Sequence, residues 1–448
     1  MTETVTGIST TIAAEPLPKV AGGKGGHVTD STGKTYFGGS GGPAVHSLGY
    51  GNEEVTEAIK AQLDRIMHGY RYTFTSDPLE ELTEYILADC GPEFGAVVLV
   101  SGGSEAMESC LKIALQYHSA RGEMSRRRFI SRQRSWHGNT LGVLALSGFL
   151  ERRAPFEGAL MPASLLSPVN AYRPPAGVSP DDLARHCAHE LEEEILRLGP
   201  DTVAAFVFEP VVGAAGGVVP APPGYAAMVR EICTRHGVLM IADEVMCGSG
   251  RCGTYRALSN DDVVPDIMSI AKGMSGGYIP LGAAVYSIPV RDAIIAAFGG
   301  VMTGHTFTGH TVACAAGAAV HRIFRRDGLI EHVKANESRL RALLAEALTG
   351  IDEVGDLRGR GYFMGIELVA DPVTKAPFPR DQQLFQRVRE CAFANGLICY
   401  PSGGNVDGVL GDTIILAPRY NAPDAELAEI AGKLGVSVRQ ALAQIGRS

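Results

Sequence analysis

Short apolar runs alternate with amphipathic stretches through the middle of this chain. Runs at 96–100, 128–131, 203–208, 238–242, 267–271 and 282–287 have the length and β-branched content of buried strands, and helical periodicity lies between most of them. Such alternation predicts an α/β fold with a mostly parallel sheet, because each strand is returned to the same sheet edge by a covering helix.

Local punctuation sharpens several elements. Ser179-Pro180-Asp181-Asp182 reads as an N-cap, a first-turn proline and an acidic first turn, and Gly199-Pro200 as the stop of the same helix. A further helix is expected over 223–236, ended by Gly237, with the strand 238–242 directly after it. Past Arg325 the pattern changes to a long amphipathic helix at 329–348, strand-like runs at 362–369, 397–400 and 413–417, and a closing helix from 423. Three parts are therefore expected: a large domain over 71–325, a smaller α+β domain over 326–448, and an N-terminal segment 1–70, with an amphipathic helix at 53–67, that joins the small domain.

Composition narrows the class. With 448 residues, 45% hydrophobic and 20% charged, the chain is long enough for two lobes and has the make-up of a globular protein. The net charge of −9 and the scattered basic residues argue against nucleic acid and anionic membranes as partners. No uninterrupted apolar stretch approaches about 18 residues, and the start Met1-Thr2-Glu3-Thr4-Val5 lacks the features of a signal peptide, so a cytoplasmic protein is expected. Nine scattered cysteines fit a reducing compartment and supply no metal-ligand cluster.

Candidate chemistry sits where apolar runs stop. Lys272 ends Ile267-Met268-Ser269-Ile270-Ala271 and opens a glycine-rich turn, a place where desolvation can depress an amine's pKa and make it a nucleophile toward carbonyls. The plain alternative is a strand-end lysine with its amine in solvent. Asp243 follows the run 238–242, where a carboxylate requires a cationic or hydrogen-bonding partner; a protonated pyridine nitrogen would serve, as would a structural salt bridge or a helix cap. Ser101-Gly102-Gly103-Ser104 joins a strand to a helix, and free amides there could cradle a phosphate, although glycines at such junctions often serve geometry alone. Trp136, the only tryptophan, follows the strand 128–131 and could stack on a planar ring or simply pack.

Taken together these segments resemble the class III aminotransferases, the ω-transaminase branch of fold-type I pyridoxal-phosphate enzymes. The motifs are Ser101-Gly102-Gly103-Ser104-Glu105-Ala106, Trp136-His137-Gly138, Phe208-Glu209-Pro210, Ala242-Asp243-Glu244-Val245, Ala271-Lys272-Gly273 with Gly277-Tyr278-Ile279-Pro280-Leu281-Gly282, and Thr306-Phe307-Thr308-Gly309-His310. The resemblance implies pyridoxal 5'-phosphate as cofactor and a homodimer with shared active sites, with pairing into tetramers left open. It further implies that Lys272 bonds the cofactor and moves the substrate proton, and that Asp243 keeps the pyridine nitrogen protonated. Val245 and Trp136 would cover the two ring faces, tryptophan replacing the family's usual tyrosine or phenylalanine. Gly103 and Ser104 would bind the phosphate, Thr306 would reach the phosphate of the neighbouring subunit, and His137 and Glu209 would adjoin the cofactor.

The substrate side departs from the family pattern. Members that gate 2-oxoglutarate with a glutamate–arginine switch carry glutamate where this chain has Ala214 and arginine where it has Ile415. A mobile arginine before proline, usual in pyruvate-using relatives, is replaced by Tyr400-Pro401. Arg419 is then the candidate for the substrate carboxylate, and Tyr72, between Tyr70 and Phe74, for the entrance. The expected activity is transfer of an amino group from an ω-amino acid or amine to a 2-oxo acid, pyruvate above others, by a ping-pong mechanism. A racemase, epimerase or aminomutase on the same scaffold is the near alternative. A nicotinamide-dependent dehydrogenase is remote, since no Gly-x-Gly-x-x-Gly turn with a following acid is present.

Overall fold

Seven strands form the central sheet of the computed structural model, which describes residues 17–446; the start at 1–5, read as lacking signal-peptide features, lies outside the described residues. Their order is Phe94–Val100, Gly282–Ser287, Ile267–Ala271, Leu239–Asp243, Val203–Phe208, Arg128–Arg132 and Ser164–Leu166. Only Gly282–Ser287 runs against the rest, pairing antiparallel with both neighbours, so the sheet is mixed and mostly parallel.

Strand periodicity sets the two cores. In Leu239–Asp243, Met240 and Ala242 face a layer containing the helices Leu183–Leu198 and Tyr225–His236, while Leu239 and Ile241 face a layer containing the helix Gly103–Ala120. Both faces are covered, which is why this strand reads as an unbroken apolar run rather than an alternating one. Asp243, next on the side of Leu239 and Ile241, emerges at the strand end toward the helix Gly103–Ala120.

A second core lies around an antiparallel sheet ordered Val354–Arg360, Phe363–Leu368, Asp412–Leu416 and Tyr400–Gly403. Leu340 and Leu344 of the helix Leu329–Ala347 and Leu434 and Val438 of the helix Asp424–Ala443 fill it. The N-terminal segment contributes Phe37, Leu48 and Val55 to this core, and Thr35–Gly38 pairs in parallel with Leu397–Ile398. The helix Thr311–Arg326 joins the two cores, giving Cys314 and Ala318 to the first and Val320 and Phe324 to the second.

Two local expectations shift. The helix expected to open at Ser179 begins at Leu183. Ser179 Oγ instead accepts from the amide of Asp182 at 3.1 Å and donates to its carboxylate at 2.8 Å, closing a turn before the helix. The strand Val354–Arg360 was not expected, since its sequence VGDLRGR shows no apolar alternation. Among the described residues no helix is long and apolar enough to cross a membrane.

Candidate active site

Four chemical groups converge at the C-terminal ends of the parallel strands, where ligands of open α/β sheets collect. Ser101 to Ser104 follow Phe94–Val100, Glu209 follows Val203–Phe208, Asp243 ends its strand, and Lys272 follows Ile267–Ala271. They line one cavity of about 390 Å³, together with Trp136, His137 and Val245.

Gly103 and Ser104 open the helix Gly103–Ala120, so their amides have no carbonyl partner within it. Glu105 Oε2 accepts from the amide of Ser101 at 2.8 Å, which fixes the turn. Ser104 Oγ accepts from the amide of Asn139 at 3.0 Å and thereby ties the turn to the segment carrying Trp136 and His137. Gly138 has φ 140°, and a Cβ there would stand 2.8 Å from Ser104 Oγ. Glycine is required at that contact.

Asp243 is buried and held from three sides. Its Oδ1 accepts from the amide of Val245 at 3.0 Å and from Ser269 Oγ at 3.1 Å, while Oδ2 lies 2.8 Å from His137 Nδ1. His137 Nε2 in turn lies 3.1 Å from Ser131 Oγ. A carboxylate so restrained cannot rotate to meet a ligand. It presents a fixed charge at the cavity floor.

Lys272 has φ 49°, in the left-handed region that a non-glycine residue enters at a cost of about 1 kcal/mol. Its amine makes no hydrogen bond or ion pair among the described residues, and burial pulls its pKa from 10.5 to about 8, against the opposing pull of Asp243 and Glu209. Arg152 adds a small push in the same downward direction. Glu209 accepts from the amides of Trp136 at 3.0 Å and Gly213 at 2.9 Å, and burial raises its pKa to about 7.

Trp136 is half-buried, with its ring edge-on to Phe149 at 5.9 Å and the Arg152 guanidinium 4.8 Å from its centre. Arg152 is exposed and carries no carboxylate partner among the described residues. The sequence reading missed it. Its one available signal was a basic residue soon after the Trp136 motif, within Arg152-Arg153, and the two differ only in the fold: Arg153 is buried and binds Glu157.

The remaining expected residues do not enter the cavity. Thr306 is exposed and outside its lining. Tyr72 is also exposed, its hydroxyl donating to the carbonyl of Thr303 at 3.0 Å, so the segment 70–74 is tied to the one that carries Thr306. Arg419, expected at the substrate carboxylate, is outside the lining as well. Its guanidinium is committed to Glu426 through Nε at 3.1 Å and Nη2 at 2.8 Å, and to Asn421 at 2.9 Å. The nearly buried Glu426 requires a cation, and Arg419 supplies it.

The model of the family "Aminotransferase class-III" matches residues 13–436. An uncharacterized aminotransferase of Bacillus subtilis, YodT, is 39% identical over 413 residues, 92% of this chain and 93% of that protein. An adenosylmethionine-8-amino-7-oxononanoate aminotransferase of Nitratidesulfovibrio vulgaris is 34% identical, covering 90% of this chain and 73% of that one. In structure, an amine transaminase from an uncultivated Pseudomonas species, solved in its PLP-bound form, superposes with a TM-score of 0.88 at 32% identity and 98% coverage of both chains. The chain belongs to the class III aminotransferases, the pyridoxal-phosphate-dependent transaminases of fold type I.

The residues present fit that cofactor. An unpartnered amine, a restrained carboxylate and a helix start with free amides share one cavity, which is what an aldehyde, a ring nitrogen and a phosphate each require.

Proposed function

We propose that this enzyme moves the amino group of an ω-amino acid or amine to a 2-oxo acid, pyruvate above others, with the first product leaving before the acceptor binds. The observation that carries the reading is the shared cavity of Lys272, Asp243 and the Gly103–Ser104 turn. When bound, pyridoxal phosphate supplies the aldehyde that takes up the amino group and a ring that spreads the charge left by deprotonation.

The chain's own groups have distinct tasks in this reading. Gly103 and Ser104 would hold the phosphate at the helix start, and Asp243 would present its charge to the ring nitrogen. Val245, whose methyls face Gly103, would pack against the ring, with Trp136 across from it. Lys272 Nζ, neutral above about pH 8, would accept the proton from the amine-bearing carbon and return it one position away. His137 holds Asp243 in place, and Glu209 fixes the backbone beneath Trp136.

The acceptor reading is supported by what occupies the switch positions. Ala214 and Ile415 lie in one apolar cluster, with Trp136 packed against it, where a glutamate–arginine pair would be needed to gate 2-oxoglutarate. Arg152, stacked on the lining residue Trp136, is the cation offered to a substrate carboxylate. A homodimer is part of the reading, since Tyr70, Tyr72, Phe74, Met302 and Phe307 are exposed on segments flanking Thr306. So is a cytoplasmic setting, with nine free cysteines, eight of them buried. The cofactor lobe spans 71–325, and 326–448 with the N-terminal segment forms the small lobe.

A half-reaction screen tests the reading. The holoenzyme is titrated with amines and ω-amino acids while the cofactor absorbance is followed, and keto acids are then added singly. Bleaching by a donor and recovery with pyruvate are expected. Recovery with 2-oxoglutarate alone overturns the acceptor assignment, and racemisation of a donor without keto acid overturns transamination.

A further inference from the structure

Arg132 is a buried cation without a hydrogen-bonding partner among the described residues. It is 5% exposed, its side chain makes no hydrogen bond or ion pair with them, and its Nη2 is fully enclosed. Aromatic faces offset part of the desolvation, Tyr225 at 4.0 Å and Phe206 at 5.4 Å from the guanidinium carbon. They satisfy none of its five N–H groups.

Those donors border a cavity of about 50 Å³ that shares no lining residue with the cofactor site. Arg134 and Arg173 also line it, as does Asn405, which is 4% exposed and has neither amide atom hydrogen-bonded. Arg173 Nη2 is likewise buried and unpartnered. No carboxylate is among the lining residues. The surrounding acids bond to other groups, Glu367 to Arg173 Nε and Arg358, Glu190 to Ser167, Glu209 to the amides of Trp136 and Gly213, and Asp407 to the amides of Val409 and Leu410, so that Glu190 and Glu209 act on Arg132 only through space.

We propose that this cavity binds a small inorganic anion, a halide, coordinated by Arg132, Arg173 and the Asn405 amide. Arg132 lines a cavity with no acid in its lining and has no ion-paired carboxylate among the described residues, so it lacks a contact counter-charge, and about 50 Å³ admits a halide with two or three waters. Burial pulls Arg132 down to about 9, so it stays cationic at neutral pH. The anion bridges the strand end at Arg132 to the loop carrying Asn405 in the C-terminal part of the chain.

The test uses holoenzyme exchanged into sodium gluconate and titrated with sodium chloride or bromide at constant ionic strength. A saturable rise in Tm of about 2–4 °C with either halide is expected, and crystals soaked in bromide should show an anomalous peak between Arg132 and Asn405. Arg132→Met, which keeps the stacking volume, should remove both. Asn405→Asp, which brings a fixed negative charge of the same shape, should raise Tm in gluconate and abolish the halide response. Ordered water alone in the cavity of bromide-soaked crystals overturns the proposal, as does a halide response of wild-type size in Asn405→Asp.

Discussion

A Cβ on Gly103 would stand 2.9 Å from Cγ1 and 3.3 Å from Cγ2 of Val245, so the Gly103–Ser104 turn and the residue two past Asp243 are packed to the limit of contact. Gly103→Ala must push the helix start or Val245 aside, at about 1–3 kcal/mol. The expected result is a lower holoenzyme Tm and a weaker hold on the cofactor, measured by its loss on dialysis. Val245→Ala in the same chain removes both methyls and should restore much of the cofactor affinity. No recovery in the double variant would place the damage elsewhere.

Lys272 gives the cofactor-free protein a pH signature. Its folded pKa of about 8 lies below the ordinary 10.5, so between these values the unfolded chain binds more protons than the folded one. Stability should therefore rise as pH climbs from 8 toward 10.5, and Lys272→Met should flatten that rise. Urea midpoints of both proteins across the window check the sign. Lys272→Met should also abolish transamination.

Arg152 is expected to act twice. Losing its charge should raise the Lys272 pKa, read as an upward shift in the pH at which the cofactor-free protein is reductively alkylated. It should also raise KM roughly 10- to 100-fold for carboxylate-bearing substrates, the range of a charge-assisted hydrogen bond. Simple amines should be little affected. Arg152→Gln retains the packing on Trp136 and Phe149 and is the variant of choice; equal losses for acids and amines would remove the assigned role.

The sequence made the site's floor legible and left its walls dark, for a physical reason. Lys272 and Asp243 stand out because each is a charge stopping an apolar run, which is what burial of a strand on both faces produces. The groups that restrain Asp243 do not, because Ser269 lies 26 residues and His137 106 residues away along the chain. No periodicity records such contacts. The strand Val354–Arg360 was hidden because its Arg358 is buried against Glu367 and Asp356, so its polar sequence conceals an inward-facing residue. Arg419 looked free in sequence for the converse reason: its partner Glu426 sits in the first turn of the next helix.

Arg419 yields the prediction that separates stability from specificity. Glu426 is 8% exposed and its carboxylate takes Arg419 Nε and Nη2, with no other side-chain donor on it among the described residues. Arg419→Ala leaves that carboxylate buried and unpaired, and breaking one partner of such a pair costs about 3–5 kcal/mol. Glu426→Gln in the same chain removes the orphan charge and should return a large part of the loss, measured as the urea midpoint of each variant. Because the guanidinium does not line the cofactor cavity, KM for carboxylate-bearing substrates should stay within about twofold of wild type in whatever fraction of Arg419→Ala remains folded. A selective rise in KM for acids over amines would return Arg419 to the substrate site and displace Arg152 from it.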